Sequence, residues 1–415
     1  MRGPMETEVK HYRQELARIV KIAKYLRSLK AGKETSWEEA VEWHLKYANL
    51  HYEQVLALTI TLSPTGCEWA GKGGCTMCGE FEGAYKGKAL IEDPRFHVAQ
   101  FASAIGNPAI WEAARKENKP IGWLRVNQEG NYTNTKETHI VSQETILRLA
   151  ARIKGVKRIT IESRPQYLND GNVSALAKIF ADSGVELEIG MGFEAQDNVI
   201  RNVCINKQGT IAQFSNAAKL LRQYHILPLA FVLLKPPFLT EQEAIDEAVA
   251  TAHCAVEIGF SRISCEPMSI HPYTVVDALT QAGDYRAPWL WSVVEVTKRC
   301  ADISKMFGIG GLGYYPIPSE YAHNHCDNGT DCNKRLIDAI LKYNATRDVS
   351  AFNGVACSCK SVWERECQVS SVPLKRRIQE QLTHVEDLLP HYATKESSKD
   401  NFMRSMRILA SNSQG

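Results

Sequence analysis

The stretch Val55-Leu56-Ala57-Leu58-Thr59-Ile60-Thr61-Leu62 is apolar and β-branched, and it runs within four residues into Gly66-Cys67-Glu68-Trp69-Ala70-Gly71-Lys72-Gly73-Gly74-Cys75-Thr76-Met77-Cys78-Gly79. The first segment reads as a buried strand. The second reads as a glycine-rich loop carrying three thiols at C-x7-C-x2-C spacing. Downstream of the loop a regular alternation sets the fold. Further strands are predicted at Gly122–Val126, Arg158–Ile161, Val185–Met191, Ile226–Leu234 and Arg262–Glu266. Helical patterns separate them at Phe101–Lys116, Glu144–Lys154, Val173–Asp182, Ala217–Gln223 and Glu241–Ile258, the last opening on a Thr240/Glu243 capping box. Strands alternating with helices give a parallel sheet with helical crossovers. Six strands are two short of a closed barrel, so the expected architecture is α/β, an open (β/α)6 barrel with a lateral mouth. In such folds the C-terminal strand ends carry the chemistry, which is where the three thiols fall.

Outward from the barrel the pattern changes. Residues 1–54 read as a helical N-terminal extension, with helices over Glu6–Leu29 and Trp37–Leu50. Residues 55–284 form the barrel and residues 285–415 a Cys-rich C-terminal extension. The latter holds a helical stretch to Met306, a Gly/Pro/Tyr-rich loop over Gly308–Pro318, and a helix over Leu374–Leu389 that Pro390 is expected to stop. Trp289 and Trp291 read as core, and Lys375-Arg376-Arg377 as a solvated helix face. The 415 residues are 44% hydrophobic and 23% charged, with a net charge of +2, so whole-chain disorder and fibrous folds are excluded. No strong basic footprint announces nucleic-acid binding. The longest apolar run, Ile226–Leu234, is far short of the roughly 20 residues that span a bilayer. With a charged start and no secretory signal, the expectation is a cytoplasmic protein without a membrane partner.

Twelve cysteines then need chemistry rather than disulfides. Thiolates from Cys67, Cys75 and Cys78 can hold three irons of a [4Fe-4S] cluster and leave the fourth iron open to a ligand. The competing reading is a structural zinc loop, or no metal. Late in the chain Cys326, Cys332, Cys357 and Cys359 have C-x5-C-x24-C-x-C spacing, preceded by His323 and His325. They could form a tetrahedral zinc site, hold an auxiliary cluster, or be unligated buried thiols. Cys204, Cys254, Cys265 and Cys300 read as small buried hydrophobes.

The predicted strand ends supply charged candidates. Glu162 and Arg164 end the third strand and could bind a polar cofactor or close the rim as an ion pair. Glu194 after the fourth strand has the same two readings. Asn206 and Lys207 could meet a phosphate or carboxylate on the substrate, although an exposed lysine is the commoner case. Lys235, fixed by Pro236 and Pro237 at the end of the fifth strand, is a candidate for contacting cofactor or substrate.

Several segments together carry a resemblance: G-C-x-W-x-x-x-G-G-C-T-M-C-G over Gly66–Gly79, E-S-R-P over Glu162–Pro165, Gly192 and Glu194 with Asn206 and Lys207, L-L-K-P-P-F-L-T-E over Leu233–Glu241, and Y-R-A-P-W-L-W-S over Tyr285–Ser292. Over about Val55 to Cys359 the chain resembles the archaeosine synthase radical SAM subunit family, related to the radical SAM domain of the elongator acetyltransferase group. The resemblance implies a [4Fe-4S] cluster on Cys67, Cys75 and Cys78. It implies S-adenosylmethionine (SAM) held at the open iron and cleaved to a 5′-deoxyadenosyl radical, with Met77, Gly79, Glu129, Gly130, Glu162, Arg164, Glu194 and Lys235 as SAM contacts. It also implies a reductant such as ferredoxin or flavodoxin. In that family a partner enzyme attaches lysine to a 7-deazaguanine nitrile in tRNA, and the radical enzyme cleaves a C–N bond of the lysine, as a lyase.

Two segments depart from the family pattern. Asn127-Gln128-Glu129-Gly130-Asn131 stands where a Gly-Ser-Phe-type turn is usual, and Glu266-Pro267 where Asn-Pro is expected. Both lie at the barrel mouth and bear on the substrate. The alternatives to a tRNA base are a small-molecule or peptide substrate with the same radical chemistry, and a non-enzymatic, zinc-stabilised RNA-binding module.

Overall fold

The computed structural model describes residues 8–29, 42–50, 53–62, 66–79, 92–128, 130–312, 326, 330–369 and 372–392. One sheet of eight strands organises them, in the spatial order β1-β2-β3-β4-β5-β6-β7-β8. The strands are β1 (Glu42–Leu50), β2 (Glu53–Thr61), β3 (Ile121–Asn127), β4 (Arg158–Glu162), β5 (Glu186–Glu194), β6 (Leu227–Leu234), β7 (Arg262–Pro267) and β8 (Phe307–Ile309). β1 pairs antiparallel with β2; every later neighbour pair is parallel. All six strands read from the sequence are present, in parallel and in chain order. The fold is an open α/β barrel of the expected kind, widened by one strand at each edge.

Both edge strands correct the sequence reading. Trp37–Leu50 reads as a helix in the sequence, but Glu42–Leu50 is a strand that pairs along its whole length, from Glu42 against Thr61 to Leu50 against Glu53. The physical reason is that a strand two residues away in sequence offers a complete hydrogen-bond ladder, which overrides weak helical periodicity. Residues 37–41 lie outside the described residues. β8, which overlaps the start of the expected Gly308–Pro318 loop, is too short to leave a periodic signal, and residues 313–318 are not described.

The α-helices are α1 (Arg13–Ser28), α2 (Arg95–Gly106), α3 (Pro108–Lys116), α4 (Ile140–Ala150), α5 (Asp170–Phe180), α6 (Ile211–Gln223), α7 (Glu241–Glu257), α8 (Val275–Gln281), α9 (Leu290–Arg299), α10 (Thr330–Thr346), α11 (Cys359–Cys367) and α12 (residues 374–392), of which α2 to α9 make the crossovers between parallel strands. The single helix expected over Phe101–Lys116 is two. Asn107 precedes a proline and is held extended, and its side chain caps α3 by accepting from the Ala109 amide at 3.0 Å. The Thr240/Glu243 capping box is formed.

Helix α12 buries Ile378, Leu382 and Val385 completely, and it runs through Pro390 to residue 392 rather than stopping there. Arg377 is not on a solvated face: its guanidinium pairs with Glu243 and donates to the Phe238 carbonyl. Trp289 and Trp291 are core residues, as expected, and Cys204, Cys265 and Cys300 are fully buried. Among the described residues, no helix is long and apolar enough to cross a membrane.

β1 and β8 do not pair with each other. Helix α10 bridges them. The Asn344 amide accepts from the Ile309 N–H at 2.9 Å and donates to the Ile309 carbonyl at 2.7 Å, taking the place of a missing strand on the β8 edge. Asn49 of β1 donates to the Asn344 carbonyl at 3.2 Å.

Candidate active site

The loop Gly66–Gly79 lies across the C-terminal ends of the parallel strands, gripped by segments that follow several of them. From the β3 side, the buried Glu137 carboxylate accepts from the Glu68 amide at 2.9 Å, from the Asn134 side chain at 2.8 Å, and from the Asn131 side chain at 3.0 Å. The Asn131 amide nitrogen in turn lies 3.8 Å from the Cys67 sulfur. From the β4 side, the Arg164 guanidinium sits over the Trp69 ring at 5.5 Å and Tyr167 donates to Glu68 at 3.3 Å.

The grip from the β5 side is the most extensive. The Cys204 carbonyl accepts from the Thr76 hydroxyl at 2.8 Å, and the Ile205 carbonyl from the Thr76 amide at 2.9 Å. The Asn206 side chain donates to the Gly74 carbonyl at 2.8 Å, while its own carbonyl accepts from the Trp69 indole at 2.8 Å. The Ile200–Cys204 turn that delivers these carbonyls is π-helical, a geometry frequent at functional sites. Beyond β7, Val276 donates to the Thr76 carbonyl at 3.3 Å and His271 closes over Gly79 so tightly that a Cβ there would strike it. Arg27 of α1 reaches in to the Cys75 carbonyl at 2.8 Å.

Backbone strain concentrates here as well. Glu194, Asn206 and Lys235 have φ of 62°, 53° and 67°, left-handed values that non-glycine residues hold only when their surroundings enforce them. Gly192 is required for a different reason: a Cβ would collide with the Lys207 ammonium and the Glu194 carboxylate, which pair at 2.9 Å.

Charge follows the same lines. Burial pushes the Cys67 thiol up, reinforced by the nearby Glu137 and Cys75. Burial also raises the Glu137 carboxyl, against the donors that favour its ionised form. Burial by itself would lower Lys207, but Glu194 and Cys75 outweigh it and hold the ammonium firmly charged. A fixed cation therefore stands beside Cys75.

The structure brings most of the residues singled out from sequence together. Cys67, Cys75, Cys78, Met77, Gly79, Gly130, Arg164, Glu194, Asn206 and Lys207 lie on or against the cluster loop, and Glu162 ends the adjoining strand β4. Gly130 packs on Glu137. Glu129 lies outside the described residues. Asn206, expected to meet substrate, spends its side chain on the Gly74 carbonyl. Lys235 is buried against Glu241 at 2.5 Å, beneath the Tyr285 ring.

The late cysteines converge on a second site. The ligand atoms of Cys326, Cys332, Cys357 and Cys359 all lie within 4.8 Å of one another. Cys326 and Cys357 sulfurs are 3.6 Å apart, as are those of Cys332 and Cys359, and the Trp291 indole donates to the Cys359 sulfur at 3.2 Å. Burial pushes the Cys359 thiol up to about 11. His323 and His325 lie outside the described residues. Among the described residues this is the group of metal-ligating side chains brought within that separation.

No protein-family model matches the chain. An uncharacterized protein of Methanocaldococcus jannaschii is 30% identical over 327 residues, covering 77% of this chain and 84% of that one. The archaeosine synthase subunit beta of Methanosarcina acetivorans is 26% identical over 76% of this chain and 86% of its own length. That of Thermococcus kodakarensis is 28% identical over 58% and 72%. The chain belongs to one family with the Methanocaldococcus jannaschii protein, and the archaeosine synthase beta subunits are its more distant relatives. Among solved structures, the Elp3 protein of Methanocaldococcus infernus is similar at 14% identity with a TM-score of 0.45, covering 72% of this chain and 63% of that one. The radical S-adenosylmethionine methyltransferase TsrM of Kitasatospora setae is similar at 16% identity and a TM-score of 0.35, covering 55% and 40%.

For this member of the family, sequence reasoning passes over Glu137 and Asn134. Their signal is present as Asn131-x-x-Asn134-x-x-Glu137, three polar residues at a spacing that folds them into one turn over the cluster loop. Arg27 escapes it because α1 reads as a self-contained amphipathic helix.

Proposed function

We propose that this chain is a radical SAM enzyme of archaeosine formation, acting on a lysine-adducted 7-deazaguanine in tRNA. The observation that carries the proposal is the loop of three cysteines spread over the C-terminal strand ends. Glycine-rich backbone surrounds them, with Gly66, Gly73 and Gly74 all at positive φ, so that peptide N–H groups can approach the sulfides of a cluster held there. The donor set fits a [4Fe-4S] cluster on Cys67, Cys75 and Cys78 with one iron left open. When bound, the cluster supplies the electron that cleaves SAM to a 5′-deoxyadenosyl radical.

The chain's own residues prepare that chemistry. Glu137 fixes the start of the loop through the Glu68 amide and aims Asn131 at Cys67, where a donor tunes potential. Arg164 and the Lys207–Glu194 pair present charges that complement the carboxylate and amino group of SAM. Gly130, Glu162, Met77 and Gly79 form the remaining wall, with Glu129 as a further candidate. Asn206 acts as a positioning residue for the loop. Lys235 supports the rim through Glu241. We assign zinc to Cys326, Cys332, Cys357 and Cys359. A tetrahedron with Zn–S near 2.3 Å has edges of about 3.8 Å, close to the two 3.6 Å sulfur separations, whereas a four-iron cube would hold its thiolates much farther apart.

The names of the relatives support archaeosine formation with a partner subunit, and the cytoplasm is the expected compartment. The test is mass spectrometry of tRNA carrying the lysine adduct after incubation with anaerobically reconstituted protein, SAM and a reductant such as flavodoxin. Conversion of the adduct to the formamidine is the expected result. SAM cleavage without any change in the tRNA would move the substrate to a small molecule or peptide. In parallel, Cys332→Ser is expected to abolish zinc retention while leaving iron content unchanged.

A further inference from the structure

Below the cluster loop, the barrel bore contains a cavity of about 350 Å³ between β1, β3, β7, β8 and the C-terminal end of α10. Among the described residues five cationic side chains line it, Lys46, Arg125, Arg262, Lys342 and Arg347, and no carboxylate does. Trp123 forms part of its wall and is surrounded by three guanidinium groups: Arg125 at 4.6 Å, Arg262 at 4.8 Å and Arg158 at 5.3 Å from the ring. Two of the three are matched. Arg262 makes a two-point contact with Glu188 at 2.7 Å on both arms, and Arg158 binds Glu186 at 2.8 and 3.0 Å. Arg347 is tied to the Phe307 carbonyl at 2.7 Å.

Arg125 is the exception. Among the described residues its guanidinium makes no hydrogen bond and no ion pair, and its Nε is buried without a partner. Three acids act on its charge without bonding to it: Glu188, which is committed to Arg262 and Arg158; Glu266, which accepts from the Ser264 hydroxyl at 2.6 Å and has its carboxyl raised by burial; and Glu162 at the end of β4. On the facing wall, burial and then Arg125 itself push Lys46 down to about 8. A planar fork without a hydrogen-bonded partner, in a cavity lined by cations, is the arrangement that takes up an oxyanion through paired N–H donors. Leaving such a group unpartnered is otherwise costly.

We infer that this cavity is an oxyanion subsite, in which Arg125 receives a carboxylate or phosphate group that the substrate carries down the bore. Arg125 is two residues before Asn127, the end of β3, which sets it roughly 7 Å below the strand ends. The anion therefore belongs to an arm several bonds long, with the reacting atom near the cluster loop above. Attributing it to the substrate rests on the proposed function; the subsite itself does not.

The test is isothermal titration calorimetry of the reconstituted full chain with two probes, glutarate for a carboxylate on a flexible arm and inorganic phosphate, against a chloride background. Saturable binding of at least one probe is expected, weakened at least ~10-fold by Arg125→Gln. The probe that binds identifies the source of the anion. If Arg125→Gln does not fold, Arg125→Lys, which keeps the stem and the charge but loses the fork, is judged by the same criterion. Absence of saturable binding of both probes to the unsubstituted protein, or equal binding by the Arg125 variant, overturns the inference. The titration consumes no SAM, so a chain that fails to cleave SAM would overturn the proposed function and still leave this measurement to decide the subsite.

Discussion

Glu137 concentrates more of the site's organisation than any cysteine does. It is buried, 2% exposed, and accepts from two backbone amides and two asparagine side chains around Cys67. Removing it strands those donors, at about 1–3 kcal/mol for each one left buried and unmatched. Glu137→Ala is therefore expected to lower Tm and to reduce iron bound per chain on reconstitution, with Glu137→Gln milder on both counts; unchanged iron loading would show the carboxylate to be mere packing. Lys46 provides a pH readout. Its folded value of about 8 lies below the ordinary 10.5. Its contribution is thus intact above the ordinary value and is lost as pH falls toward 8. The Tm of Lys46→Met relative to the unsubstituted protein should be more favourable at pH 7 than at pH 9.5. An equal or opposite difference contradicts the burial of this charge. At this scale the sequence is half legible. Cysteine spacing is chemistry written locally, so Cys67, Cys75, Cys78 and the late four are readable. Glu137 and Arg125 owe their roles to what surrounds them in space, which spacing along the chain does not encode.

At the scale of elements, legibility tracks length and burial. β2 to β7 are apolar stretches bounded by polar turns, and each is readable within a few residues. β8 has three residues, and its edge is completed by one side chain, Asn344 of α10. That contact predicts that Asn344→Ala loosens the β8 edge and lowers stability by about 1–3 kcal/mol, measured by chemical denaturation; no change in midpoint would mean the edge is held by α10 packing alone. β1 fails in the other direction, since its residues look helical in isolation and become a strand only through the ladder to β2. The break at Asn107 is legible in principle from the Asn-Pro pair, which the continuous apolar pattern across it obscures.

The whole molecule joins two cysteine-rich regions through one sheet. The cluster loop crosses the top of the strands, while the four-cysteine site anchors the C-terminal extension through Trp291 of α9, a helix packed on α7 and α10. α1 and α12, the two ends of the described chain, lock together through Arg18 and Glu386 at 2.8 Å, and α1 passes that restraint to the loop through Arg27. The proposed iron–sulfur cluster at the strand ends is the chemical purpose this arrangement would serve. The most direct measurement is anaerobic iron–sulfur reconstitution of the unsubstituted protein and Cys75→Ala, each assayed for visible absorption and for 5′-deoxyadenosine from SAM under a reductant. A brown chromophore and nucleoside release in the first, with loss of both in the second, is the predicted result. A colourless protein that leaves SAM intact, or a Cys75→Ala variant that keeps both properties, would contradict it.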